Sequence, residues 1–480
     1  MSSARPLNQG WRGRLDTRQR ASSVAAWLVG VVVLSAALAV LIDALGNVQR
    51  LTTGVLAITI AVVVAVLGRD DVTRPHVLLP MIWFGAVGLA QIAVINYQTP
   101  WSTNMVLVAI LAPVAFATGS FLAGGQVARP KRPPPLGVLD SQRLRVLSLV
   151  LLAMGLFGLW LKVGILGSVP ILSESIDTLR SAGGIRIPPY VTYLTDCLAL
   201  AAWARMLRWG LHPGRPRVGD VLVIGIALAG VAASASRNTL LITLVVPLIF
   251  VYLAGATRTI TPARSLAIAT LASVVVLILS GLFFLRTAQH RDSSFESYFY
   301  RGVVAQTVVP LRPLLPVQVG LVAPFETLNR VTKRTHLVGS SPDGLYSLPG
   351  IPQPVSLWGP RADFYGLTGK LSSPYYFNVA TFAGPLYADG GLELVVAAAL
   401  VLGLMVGAAR AWLLLRPTVA RLAVMAYLTY FVGFLLYENF AAFYTTSMVW
   451  DVLVIAGGLA WCSKAAGASA SEEQKGLGAA

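Results

Sequence analysis

The sequence predicts an all-α polytopic membrane protein, with about twelve transmembrane helices and one long structured outer loop. Three observations carry this. Only 12% of the 480 residues are charged while 56% are hydrophobic, and soluble domains carry about 25% charged residues. Apolar runs of roughly 20 residues, enough to cross a hydrocarbon core as a helix, recur along the chain. Arginines fall in alternate links between those runs, as the positive-inside rule requires. The net charge of +17, which in a soluble protein would indicate nucleic acid, here reflects the positive-inside bias of the short links.

The runs are 24–45, 51–68, 77–96, 104–124, 144–165, 189–209, 219–235, 239–256, 264–285, 390–412, 420–437 and 446–463. The first follows Arg12, Arg14, Arg18 and Arg20 and resembles a signal peptide. It is about 20 residues long with further spans behind it, so it reads as an uncleaved helix. With the N-terminus inside, the inner links carry Arg69 and Arg74, then Arg129, Lys131, Arg132, Arg143 and Arg145. Arg205, Arg208, Arg215 and Arg217 follow, then Arg258 and Arg264, and finally Arg410, Arg416 and Arg421. Of the outer links, the first holds Arg50, whereas Asn96–Asn104 and Tyr437–Thr446 hold neither Lys nor Arg. Both termini are therefore expected in the cytoplasm. The division is helices 1–9 in 1–285, the outer loop in 286–391, helices 10–12 in 392–463 and a disordered cytoplasmic tail in 464–480.

Within the loop, Gly302–Pro324 is apolar but contains Pro310, Arg312, Pro313 and Pro316. A span there would move Arg410, Arg416 and Arg421 to the outer face, so the segment reads as interfacial or re-entrant, packed on the helices. Cys197 and Cys462 both fall in apolar runs, which supports neither a disulfide nor a metal site. No internal repeat of the kind found in many transporters is visible.

The loop is the polar exception in an apolar chain, and a long ordered loop on one face points to function. It carries Arg286, His290, Arg291, Arg301, Arg312, Arg330, Lys333, Arg334, His336, Arg361 and Lys370. Arg237, in the Ser-Arg-Asn turn that opens the 239–256 run, stands where helix N–H groups and the helix dipole favour an anion. Arg286 ends a span at the same depth, and Arg180 and Arg186 lie in the outer link 168–188. Guanidinium forks match phosphate geometry; the competing role is snorkelling to lipid headgroups.

Carboxylates are few. Asp389 and Glu438 stand at outer helix ends, each compatible with a helix cap or with a general base. Asp196 and Asp451 fall within spans, where a carboxylate is costly unless paired or protonated, and Asp196 is placed to face Lys162. Asp70-Asp71 is expected to cap the third span. His336 and His290 are candidate proton acceptors or ordinary surface residues. The loop aromatics, Tyr300 among them, suit either stacking on sugar rings or an interfacial belt. No paired-acid motif, metal-ligand spacing, nucleotide loop or serine elbow is present.

The span plan resembles that of the O-antigen polymerase family, the membrane-embedded oligosaccharide repeat-unit polymerases. Phe377–Gly391 is similar to the family's Asn-Val-x-Thr-Phe…Pro-x-Tyr-x-Asp-x-Gly stretch through Asn378, Val379, Thr381, Phe382, Pro385, Tyr387, Asp389 and Gly391. Gly164, Pro170-Ile171-Leu172, Arg180, Gly184 and the turn at Arg237 are similar to its other outer elements. The resemblance implies a GT-C-type fold in the bacterial cytoplasmic membrane. It also implies metal-independent, cofactor-free transfer of a glycan from a polyprenyl diphosphate onto a lipid-linked repeat unit. Arg180, Arg237, Arg286 and Arg291 would hold the diphosphate. Asp389, His336 or Glu438 would accept the proton, and Arg301, Tyr300, Asn378, Thr381 and Tyr387 would bind glycan. Implied partners are polyprenyl-diphosphate-linked oligosaccharides, membrane lipids, a chain-length regulator and a flippase, with no nucleic acid. A ligase of the O-antigen type and a lipid-linked-oligosaccharide transporter are the rival readings.

Overall fold

Short polar residues set the helix starts. Ser102, Asp140 and Thr418 each precede a helix, and their side chains accept N–H groups from Met105, from Gln142 and Arg143, and from Arg421. Gly167 ends a helix in the left-handed region at φ 73°, with its N–H bonded to the Val163 carbonyl at 2.8 Å.

The structure, a computed structural model, describes residues 50–91, 98–127, 139–172, 187–211, 218–234, 237–254, 315–334, 346, 364–371, 380–437 and 443–463. The helices are α1 (Arg50–Leu67), α2 (Pro75–Gln91), α3 (Thr103–Ser120), α4 (Ser141–Leu166), α5 (Pro189–Leu211) and α6 (Val218–Ala233). They continue with α7 (Arg237–Leu253), α8 (Leu315–Thr332), α9 (Phe364–Leu371), α10 (Ala383–Leu415), α11 (Val419–Phe434) and α12 (Phe443–Cys462). A π-helical turn, Phe121–Gly125, extends α3. There is no sheet among the described residues; one antiparallel bridge joins Leu139 to Ser463.

α1 to α7 and α10 to α12 stand where the apolar runs predict helices; the runs 24–45 and 264–285 lie outside the described residues. Thr103–Gly125, Ser141–Leu166 and Ala383–Leu415 are long and apolar enough to cross a membrane, with mean hydropathy 2.2, 2.2 and 2.4. The apolar parts of α1, α2, α6, α7, α11 and α12 are shorter. Several long apolar helices make this a multi-pass membrane protein, and the surface agrees. The outward face of α4 presents Val146, Leu149, Val150, Phe157 and Trp160, while Asp71, Asp196, Arg410 and Asp451 are buried. A soluble protein distributes these residue types the opposite way. Helix hydroxyls bond to their own backbone: Thr118, Thr195, Thr243 and Thr429 each donate to the carbonyl four residues earlier.

Two apolar cores hold the bundle. One joins α1, α2, α3, α8, α9 and α10; the other joins α4, α5, α6, α7 and α12. α11 contributes to both cores, through Val432 and the Leu435 that follows the helix on one side and Leu422, Ala426 and Tyr427 on the other. α3 and α10 approach to backbone contact because Gly403 faces the Phe116 carbonyl and Gly407 the Ser120 carbonyl, leaving no room for a Cβ at either.

Among the described residues, Arg330 lies at one end of the bundle, while five paired arginines gather at the other. There Arg410 and Arg74 meet Asp71, Arg205 and Arg208 share Asp220, and Arg143 donates to the Trp461 carbonyl. Asp71, expected to cap α2, instead pairs with Arg410 across the bundle and accepts from the Thr73 N–H and hydroxyl. Asp196 does lie within electrostatic reach of Lys162, as its spacing predicts.

Candidate functional site

The opposite end carries the described parts of the outer loop. α8 is the helix into which the apolar segment Gly302–Pro324 leads, and it runs on past Pro324, which falls inside it. Phe325, Leu328 and Val331 enter the core, and Phe325 stands edge-on to Trp83 at 5.2 Å and stacks on Trp101 at 6.1 Å. The polar side of α8 grips the turn between α2 and α3. The Glu326 carboxylate, 2% exposed, accepts from the Thr99 N–H at 3.2 Å and hydroxyl at 3.0 Å. Asn329 accepts from the Ser102 N–H at 3.0 Å and donates to the Pro100 carbonyl at 3.2 Å. Arg330 donates to Glu326 at 2.9 Å and to the Leu371 carbonyl at 3.1 Å, which ties α9 to α8. Lys333 reaches the Thr99 hydroxyl at 2.9 Å. Buried polar groups satisfied this fully fix one geometry, so α8 and α9 form a cover pinned to the helices.

The cover meets the start of α10. Phe382 is fully buried, edge-on to Trp83, and its N–H bonds to the Leu435 carbonyl at 3.0 Å. Thr381, also fully buried, accepts the Ala383 N–H at 3.2 Å. Tyr387 is buried and hydrogen-bonded to Asn104 in the first turn of α3. Phe382 holds the capping position at the start of α10, and Asp389 lies six residues inside it. Asp389 precedes a break at Gly390 and Gly391, where Gly391 takes φ 68°, ψ −157°, a conformation for glycine alone. Its Oδ1 accepts the Tyr346 N–H at 2.7 Å, and the Tyr346 ring lies 5.8 Å from that of Phe364 on α9. The interrupted helix is thus bonded to the cover at its break.

Of the site residues named from sequence, Asp389, Thr381 and Tyr387 come together here. Thr381 and Tyr387 are both buried. Arg237 opens α7; its side chain lies outside the described residues. Arg180, Arg286, Arg291, Tyr300, Arg301, His336, Asn378 and Glu438 also lie outside them. The sequence reading missed Glu326, Asn329 and Thr99. Glu326 and Arg330 are four apart, a pairing visible in sequence, but their partner Thr99 is 227 residues from Glu326.

A second polar cluster lies inside the other core. Asp196 of α5 accepts from the Thr239 hydroxyl of α7 at 3.2 Å, and Asp451 of α12 lies within electrostatic reach of it. One residue before Asp451, Trp450 stacks on Tyr193 of α5 at 5.9 Å.

No family model, no curated protein and no solved structure matches the chain.

Proposed function

We propose that the chain is a membrane glycan polymerase, which transfers a polyprenyl-diphosphate-linked oligosaccharide onto a lipid-linked repeat unit at the outer face of the bacterial cytoplasmic membrane. The observation that carries this reading is the pinned cover at the start of α10, opposite the arginine-rich end. Arginine-rich ends face the cytoplasm, so the cover faces out, both termini are cytoplasmic and the full count of spans is about twelve. A reaction that must exclude water from a glycosyl donor needs such a cover. The motif that resembles O-antigen polymerases lies at this junction, where its Asp389 accepts the Tyr346 N–H and Tyr346 packs on Phe364 of α9.

In this reading the leaving diphosphate gathers negative charge in the transition state. Arg180, Arg237, Arg286 and Arg291 stabilise it, and polyprenyl tails lie between the helices. Asp389, His336 or Glu438 takes the acceptor proton, and Arg301, Tyr300, Asn378, Thr381 and Tyr387 line the glycan path. A chain-length regulator and a flippase are the natural protein partners. A ligase would share donor and electrostatics and differ in acceptor.

The buried pair Asp196 and Asp451 favours a second reading, a lipid-linked-oligosaccharide transporter, because ionisable residues inside a membrane bundle mark ion pathways. One experiment separates the two. Purified full-length protein in lipid vesicles is given a lipid-diphosphate oligosaccharide, with no added metal or energy source, and product length is read on a gel. A ladder is the expected result, abolished in Arg237→Ala and Arg286→Ala variants that still express. Movement of substrate across the bilayer with no ladder overturns the polymerase reading.

A further inference from the structure

Asp196 and Asp451 are 6% and 2% exposed. They stand seven and eight residues into α5 (from Pro189) and α12 (from Phe443), roughly 10–12 Å below the helix starts at the covered end. The groups around them come from four helices. α4 supplies Lys162, whose ammonium also donates to the Ser234 carbonyl at 3.5 Å. α5 supplies Cys197, whose thiol is turned to the Tyr193 carbonyl, also at 3.5 Å. α7 supplies the Thr239 hydroxyl and α11 the Tyr427 phenol. The Asp451 Oδ1 is buried and accepts no hydrogen bond among the described residues.

Charge accounting gives this arrangement a meaning. With both carboxylates ionised, Lys162, the cation among the described residues that reaches the pair, offsets one of two negative charges, and an unsolvated carboxylate remains in apolar surroundings, a state proteins avoid. One added proton makes the group neutral and removes that cost. Asp451, whose Oδ1 has no donor among the described residues, is the one left needing it.

We propose that Asp196 and Asp451 form an intramembrane proton-binding site that holds one proton between them, with Lys162 as the fixed counter-charge, and exchanges it with the covered side of the membrane. The site is independent of the glycan reading: a polymerase would use it as a sink near the reacting end, a transporter as its coupling site.

Infrared difference spectroscopy on the full-length protein in lipid vesicles tests this, with aspartate carboxyls carbon-13 labelled. The expected result at neutral pH is a protonated-carboxyl stretch that shifts in heavy water and is lost in Asp451→Asn. Asp451→Glu, which keeps the acid and so guards against misfolding of the asparagine variant, should remove the labelled band and place an unlabelled one nearby. Lys162→Gln should raise the band about twofold, because the second carboxylate then needs its own proton. A wild-type spectrum with only ionised carboxylates overturns the proposal. So does a band that survives both Asp196→Asn and Asp451→Asn, or one that sodium chloride titration erases, which would make the ligand a metal cation.

Discussion

Arg410, fully buried near the end of α10, donates from Nη2 to Asp71 Oδ2 at 2.5 Å, across 339 residues of chain. Its Nη1 donates to the Thr73 carbonyl at 3.2 Å and hydroxyl at 3.4 Å. The link between α1 and α2 is thereby fastened to α10 beside the π-helical turn after α3, where Gly124 at φ 95° lies against Ala411. This bond closes the arginine-rich end as the Glu326 network closes the other.

Breaking that pair from one side strands a charge. Asp71→Asn is expected to cost about 3–5 kcal/mol of stability, because the Arg410 guanidinium stays buried without its counter-ion. Thermal unfolding in detergent measures the loss. Adding Arg410→Gln should recover much of it, and a double variant as weak as the single would show that the geometry, not the charge, matters.

Gly403→Ala tests the α3–α10 contact. A methyl group there meets the Phe116 backbone carbonyl, which cannot rotate away, so the helices must separate. Overpacking of this kind costs about 1–3 kcal/mol. The same thermal assay should register the change; Gly164→Ala, which meets no atom within 4 Å, serves as the control.

Loss of Glu326 should loosen the cover without unfolding the bundle. Glu326→Ala removes the acceptor of the Thr99 N–H and hydroxyl and one of the acceptors of Arg330, at about 1–3 kcal/mol for a stranded group. Hydrogen exchange should then rise over 315–334 and 364–371 while α3 and α10 stay protected. Uniform loss of protection would show that α8 belongs to the core rather than to a separable cover.

Asp389 carries two separable roles. Asn at this position still accepts the Tyr346 N–H through its amide oxygen but cannot take a proton, whereas Ala does neither. If Asp389 is the general base, Asp389→Asn should lower turnover about 10²–10⁴-fold with substrate binding kept. Normal turnover in Asn with loss only in Ala would assign it to holding the cover.

Pattern and spacing already determined the helical class, the positions of α1 to α7 and α10 to α12, and the one-sided arginines. Hydrophobic length and charge alternation are local properties that need no partner to be read. The same local signals misassigned Asp71 as a cap and left Asp389 open between cap and base. Which residue a carboxylate meets depends on how helices far apart in sequence cross, and a composition window holds no record of that. Tertiary structure alone decided that Asp71 meets Arg410, that Glu326 and Asn329 pin α8 to Thr99 and Ser102, and that Asp196, read from sequence as facing Lys162, also meets Asp451. The physical reason is common to all three. In an apolar bundle each buried polar group must find its partner across a helix interface, and the glycine contacts and aromatic packing of the assembled helices decide which interfaces exist.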